Sequence, residues 1–284
     1  MIKTKDIVQK LGYELIYVDT GSVFIKTKPG IKTRDGYSQI VDALHREIGL
    51  PISIEHNFKF LILLPLEASE KIEALKQYYG ITHEGELVIR GIEARRYDTP
   101  KFIKQFQTEL LNTLFDCKDM EEVVKKGYEN ALLLVTKAID KIMIGGDDIT
   151  QDDLVISKLL GQDIIKYRSL FPHVSAAIQL INGEDKHPSK GDTVKYIYTN
   201  SQHKNPLCKV APIDYTYGYE NRKLDYDKEK YREMIHDAAE TVLGYFGFDR
   251  TVYGNKKNTD TRRWWLVELR QEKEKDINVE IMGI

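Results

Sequence analysis

Apolar positions change their period near residue 100, dividing the sequence into a β-rich front and a helical remainder. Leu15–Val18 and Val23–Thr27 are short runs rich in Ile, Val, Tyr and Phe. Asp19-Thr20-Gly21-Ser22 between them has turn composition, so the pair predicts a β-hairpin. Ile40, Val41, Leu44 and Ile48 recur at helical spacing within Tyr37–Gly49, which predicts an amphipathic helix stopped by a glycine. Ile52–Leu64 is long and partly alternating, and predicts strands. Leu75–Thr82 and Leu87–Glu93 flank His83-Glu84-Gly85 as a further hairpin.

Beyond Pro100 the spacing is helical over Phe102–Leu114 and over Met120–Met143. Val123, Val124, Tyr128, Ala131, Leu132 and Val135 form the buried stripe of the second helix. Gly145-Gly146 stops it, and Thr150 with Asp153 has the spacing of a capping box at the start of the next element. Tyr167–Leu180 predicts a helix, Thr193–Tyr198 a strand, and Asp225–Phe246 a long helix with Tyr231, Met234, Ala238 and Val242 in register. The front sheet needs more strands than the β-rich part supplies, so the chain is expected to complete a sheet shared with something else.

Composition narrows the class. The 284 residues suffice for one large or two ordinary domains with a real core. With 42% hydrophobic and 10% aromatic residues the chain is globular rather than disordered. No apolar run approaches the ~18 residues of a membrane span. Met1–Lys10 lacks a signal-peptide core, and Cys117 and Cys208 stand apart in sequence, so a cytoplasmic protein without a disulfide framework is expected. The formal charge of −2 excludes a uniformly basic coat but permits a local basic groove.

The sharpest string is Tyr17-Val18-Asp19-Thr20-Gly21-Ser22-Val23, and here the sequence resembles family B DNA polymerases, whose palm carries Tyr-x-Asp-Thr-Asp-Ser on a hairpin. Lys76-Gln77-Tyr78-Tyr79-Gly80 resembles the family's Lys-Lys-Arg-Tyr-x-Gly segment, and Arg90–Pro100 its Gly-x-Glu-x-x-Arg-Arg-Asp segment. Asp153–Lys158 and Lys190-Gly191-Asp192-x-Val194-x-Tyr196 match thumb strings in the expected order. Each string alone is weak; five in order cover essentially the whole chain. The resemblance implies an α+β protein: a partial polymerase palm over residues 1–100, an antiparallel sheet with helices, followed by a mostly helical thumb over 101–284.

Phosphoryl transfer to a primer hydroxyl uses two Mg²⁺ ions ~3.5–4 Å apart, and Mg²⁺ takes hard carboxylate ligands. Residues two apart on a strand project to the same side, so Asp-Thr-Asp can aim two carboxylates at one place. Here Gly21 replaces the second Asp, the ligand the family relies on, and the upstream motif with its partner Asp is absent, as are the fingers and exonuclease regions. Asp19 is therefore either an auxiliary or vestigial catalytic and metal contact, or a turn residue capping its own backbone. The isolated chain is expected to be inactive, with Mg²⁺ bound only in a reconstituted complex.

The resemblance gives Lys76 a phosphate or minor-groove contact and Tyr78 a place beside the primer strand; the bland alternative is an ordinary strand with one exposed Lys. Leu75 and Gln77 replace basic family residues, which dilutes the local charge. Arg90, Arg95 and Arg96 either line the duplex path or pair with Glu93 and Asp98. Lys158, Lys190, Lys195 and Lys204 are candidates for backbone contacts that position without reading sequence, or are solvated surface lysines. Arg262, Arg263, Trp264 and Trp265 either stack on nucleic acid or belong to a docked terminal element. The seven histidines show no zinc spacing, Asp147, Asp148, Asp152 and Asp153 lack the closing Glu of a calcium loop, and no Walker glycine loop exists.

The resemblance leads to two functions. One is the palm and thumb part of a polymerase in two pieces, bound to primer–template duplex and to a large subunit carrying the missing motifs. The other is a non-catalytic primer–template-binding or assembly module with a disabled metal site. No membrane partner is expected.

Overall fold

The computed structural model describes residues 2–19, 21–26, 34–49, 51–66, 69–145, 148–184, 187–213, 225–250 and 281–283. It is a mixed helix and sheet protein with antiparallel sheets. The chain divides into two compact units: residues 1–92, 114–127 and 258–284 form the first, and 93–113 with 128–257 the second. Among the described residues no helix is long and apolar enough to cross a membrane.

The first unit opens with α1 (Ile2–Lys10), followed by the hairpin of β1 (Leu15–Asp19) and β2 (Ser22–Lys26). α2 (Ser38–Ile48) ends at Gly49, whose left-handed φ of 73° closes the last turn back onto the His45 carbonyl. Then come β3 (His56–Leu66), β4 (Ser69–Thr82) and β5 (Leu87–Arg90). With β9 (Ile281–Gly283) these strands form one sheet in the order β1-β2-β9-β3-β4-β5. The strand beside the hairpin, β9, comes from the far end of the chain.

The two faces of the hairpin carry different cores. Val23 and Ile25 pack with Val8 of α1 and Ile40 and Leu44 of α2. Tyr17 and Phe24 face the other way, onto Phe58 and Val88. Strict alternation would place Tyr17 on the side of Leu15. The register shift between Leu15 and Tyr17 turns it instead onto the side of Phe24.

The second unit contains most of α3 (Lys101–Phe115), whose last two residues belong to the first. The helix expected over Met120–Met143 is interrupted, and its start up to Gly127 belongs to the first unit. A single turn, α4 (Met120–Glu122), runs through one turn of π-helix at Val123–Gly127 into α5 (Tyr128–Ile144). α6 (Gln151–Leu154) starts at the capping box, where the Asp153 carboxylate accepts from the Thr150 amide at 3.0 Å and hydroxyl at 2.6 Å. β6 (Ile156–Leu159), β7 (Thr193–Tyr198) and β8 (Val210–Pro212) form a three-stranded sheet. α7 (Pro172–Glu184) covers it with Ala176, Ala177 and Leu180. The helix expected from Tyr167 begins five residues later, because Pro172 suits a first helical turn and not an interior.

α8 (Lys228–Leu243) is capped by the Asp227 side chain, which accepts from the Lys230 amide at 3.0 Å. Its Tyr231 is fully buried, donating to the Leu154 carbonyl at 2.8 Å and accepting from the Tyr198 amide at 3.2 Å. Burial pushes that phenol well above its ordinary range. Tyr226 and Lys228 satisfy the open carbonyls at the end of α5, at 2.7 Å from Ile142 and 2.8 Å from Met143.

Candidate nucleic-acid interface

The hairpin presents its turn between Asp19 and Ser22, which are register partners. Gly21 is exposed, and a Cβ built on it meets no atom within 4 Å. The turn therefore has room for an aspartate but supplies no carboxylate there. Among the described residues no group of three or more His, Cys, Asp or Glu could hold a metal ion. The donor set of the described residues does not fit a two-metal centre, and Asp19 alone does not make one.

Lys76 and Tyr78 lie on β4 of the same sheet. Phe24 touches Tyr17, Tyr78 and Phe58, at ring separations of 5.4, 5.3 and 6.4 Å. These contacts are edge-on for Tyr17 and Tyr78, the arrangement aromatic quadrupoles favour. The Lys76 amide donates to the Tyr17 hydroxyl at 3.0 Å. Lys76 itself is exposed, with a φ of 60°. The structure thus joins Lys76 to the strand that carries Asp19, and Tyr78 to its hairpin partner β2.

In the second unit Arg95 is exposed at the end of a short 3-10 turn, Glu93–Arg95. Arg96 and Lys158 converge on one carboxylate. Arg96 Nε donates to Asp98 Oδ1 at 3.2 Å, and Lys158 Nζ to Asp98 Oδ2 at 2.5 Å. Burial opposes ionisation of Asp98, but the two cationic donors outweigh it and hold the carboxyl at about 2. The Lys158 ammonium also lies 5.9 Å from the centre of the exposed Tyr97 ring. Of the two readings for Arg96, pairing with Asp98 is the geometry seen. Glu93 is engaged elsewhere, by Gln107 at 2.8 Å and Thr241 at 3.2 Å.

Lys190 is exposed in the turn before Gly191, ahead of β7. Lys195 and Lys204 are also exposed. The Arg262–Trp265 string lies outside the described residues. Sequence patterns single out Lys76 but give no task to Tyr17, Gly91 or Gln107. Tyr17 and Lys76 are 59 positions apart, and no spacing rule links a strand hydroxyl to a distant amide.

A model of DNA polymerase family B matches residues 2–245, and the chain belongs to that family. It is 31% identical to a DNA polymerase of Archaeoglobus fulgidus over 173 residues, covering 61% of this chain and 20% of that protein. It is 27% identical to DNA polymerase II of Escherichia coli, over 86% of this chain and 32% of that one. The solved family B DNA polymerase of Pyrobaculum calidifontis superposes with a TM-score of 0.59 at 22% identity, over 88% of this chain and 29% of that structure. The chain thus spans about a fifth to a third of the length of these relatives.

Proposed function

We propose that these residues are the palm and thumb portion of a family B polymerase, whose task is to hold a primer–template duplex. Template-directed synthesis would then require acidic groups from polypeptide outside these 284 residues, carried by a large subunit. The observation that carries this reading is the hairpin itself. It is tied to Lys76 through Tyr17 and packed on Tyr78 through Phe24, while its turn offers Gly21 where a ligand would be needed. A surface kept for holding DNA, without a metal centre of its own, accounts for both halves of that observation. Lys76, Arg95 and Lys190 supply the exposed cations, and Lys158 and Arg96 contribute through the charge that Asp98 leaves them.

Such contacts are electrostatic and indifferent to sequence. In a fluorescence anisotropy titration with a labelled primer–template, affinity should fall with salt at a log–log slope of about −3 to −5, as expected for a handful of phosphate contacts. Chelating Mg²⁺ should leave the affinity unchanged. Binding that vanishes with chelator, or no binding at low salt, would sink the proposal.

A further inference from the structure

Lys76 is the only non-glycine residue with positive φ among those described, at 60°. For a lysine this conformation is disfavoured, because its Cβ crowds the backbone. Something must hold it, and among the described residues two contacts bear on it. On the amino side, the Lys76 amide donates to the Tyr17 hydroxyl at 3.0 Å. On the carbonyl side, a Cβ built on Gly91 would lie 2.4 Å from the Lys76 oxygen and 2.9 Å from Gln77 Cγ. Only a residue without a side chain lets the Lys76 carbonyl settle there. Gly91 has a φ of 71°, a second reason for glycine.

The ladder explains why the strain falls here. Between the pairs Leu63↔Tyr78 and Pro65↔Glu73, β3 advances two residues while β4 advances five. Pro65 has no amide hydrogen to give, so regular pairing cannot run through this point. The surplus residues bulge out of β4, and Lys76 and Gln77 are both exposed although neighbours on a strand normally face opposite ways.

We propose that Tyr17 and Gly91 are positioning residues for Lys76, fixing its left-handed backbone so that the ammonium is presented to the anionic backbone of the primer strand. Tyr17 itself touches no DNA; it acts through the Lys76 amide. The inference rests on the DNA-holding reading above. Without the hydroxyl, the exposed Lys76 backbone can relax toward ordinary strand geometry, and its side chain leaves the bulge in another direction.

The test is a double-mutant cycle of Tyr17→Phe and Lys76→Gln, read by primer–template anisotropy across a salt series. Tyr17→Phe keeps the buried ring and removes one oxygen, so it should fold. It should weaken binding ~3- to 10-fold and flatten the salt slope by about one unit, the signature of one lost phosphate contact. Lys76→Gln should do the same. On the Lys76→Gln background, Tyr17→Phe should change affinity by less than ~1.5-fold, because the two act as one unit. Lys76→Arg should retain both affinity and sensitivity to Tyr17→Phe. A Tyr17→Phe protein with the wild-type slope, or a loss that adds in full to that of Lys76→Gln, would overturn the inference and leave the DNA-holding reading standing. Wild-type protein that shows no salt-dependent binding would overturn both.

Discussion

Replacing Gln107 with leucine should destabilise the second unit by about 3–5 kcal/mol, near the upper end of single-site effects. Gln107 lies on α3 with its side chain fully buried. Its carbonyl oxygen accepts from the Ala94 amide at 2.6 Å. Its amide donates to Glu93 at 2.8 Å and to the Ala238 carbonyl at 3.0 Å. One side chain thus satisfies the turn after β5, an acidic side chain and the backbone of α8. Leucine fills the same volume and satisfies none of them. An unsatisfied buried amide or carbonyl costs about 1–3 kcal/mol, and a carboxylate that loses its donor costs more. Against a total stability of about 5–15 kcal/mol, that is a large fraction of the whole. Urea denaturation measures the loss directly. Thr241→Val is the control: its hydroxyl shares one hydrogen between the Asp237 carbonyl at 3.0 Å and, at a longer 3.2 Å, Glu93, and is only part-buried, so its loss should cost about 1 kcal/mol. A Gln107→Leu protein within about 1 kcal/mol of wild type would show that the network is ornamental.

Asp98→Asn should move stability and DNA affinity in opposite directions. The Asp98 carboxyl, 12% exposed, is held at about 2 against an ordinary 3.8. A folded-state value below the unfolded one stabilises the protein above the unfolded pKa, and that stabilisation is lost as pH falls from about 5 toward 2. Discounted for solvent screening of the partly exposed Arg96 and Lys158, its contribution is about 1–2 kcal/mol at neutral pH. Asparagine should remove it, and the difference in stability between variant and wild type should shrink as the pH approaches about 2. The same change frees Lys158 and Arg96 from a fixed negative charge. If these two face DNA, primer–template affinity at low salt should rise several-fold and the salt slope should steepen by up to about one unit per freed contact. An unchanged affinity would assign both residues to the local ion-pair cluster alone.

Some of this can be read along the chain because local patterns carry it. The β1–β2 hairpin, the helix ended by Gly49, the Thr150–Asp153 cap and the strand Thr193–Tyr198 all depend on residues within a few positions of one another. β6 escapes such a reading: four residues are too short to show a period, and its strand character comes from pairing with β7, from Ile156↔Tyr196 to Leu159↔Thr193. The interruption at Val123–Gly127 is hidden for a related reason. Its apolar residues keep helical spacing, while Gly127 allows a close approach that a Cβ would block, 2.3 Å from the Leu114 carbonyl oxygen.

The candidate site divides in the same way. The sequence by itself determined the family resemblance, the order of its motifs and the missing carboxylate at Gly21, because each is a matter of residue identity at close spacing. Only the tertiary structure decided what the cations touch. It seats Arg96 and Lys158 on one Asp98, across 60 positions in the case of Lys158, and it clamps Lys76 between Tyr17 and Gly91. Those assignments depend on which strand lies beside which and where a ladder bulges. Such distances and angles are set by the packed core, and no local pattern of residues encodes them.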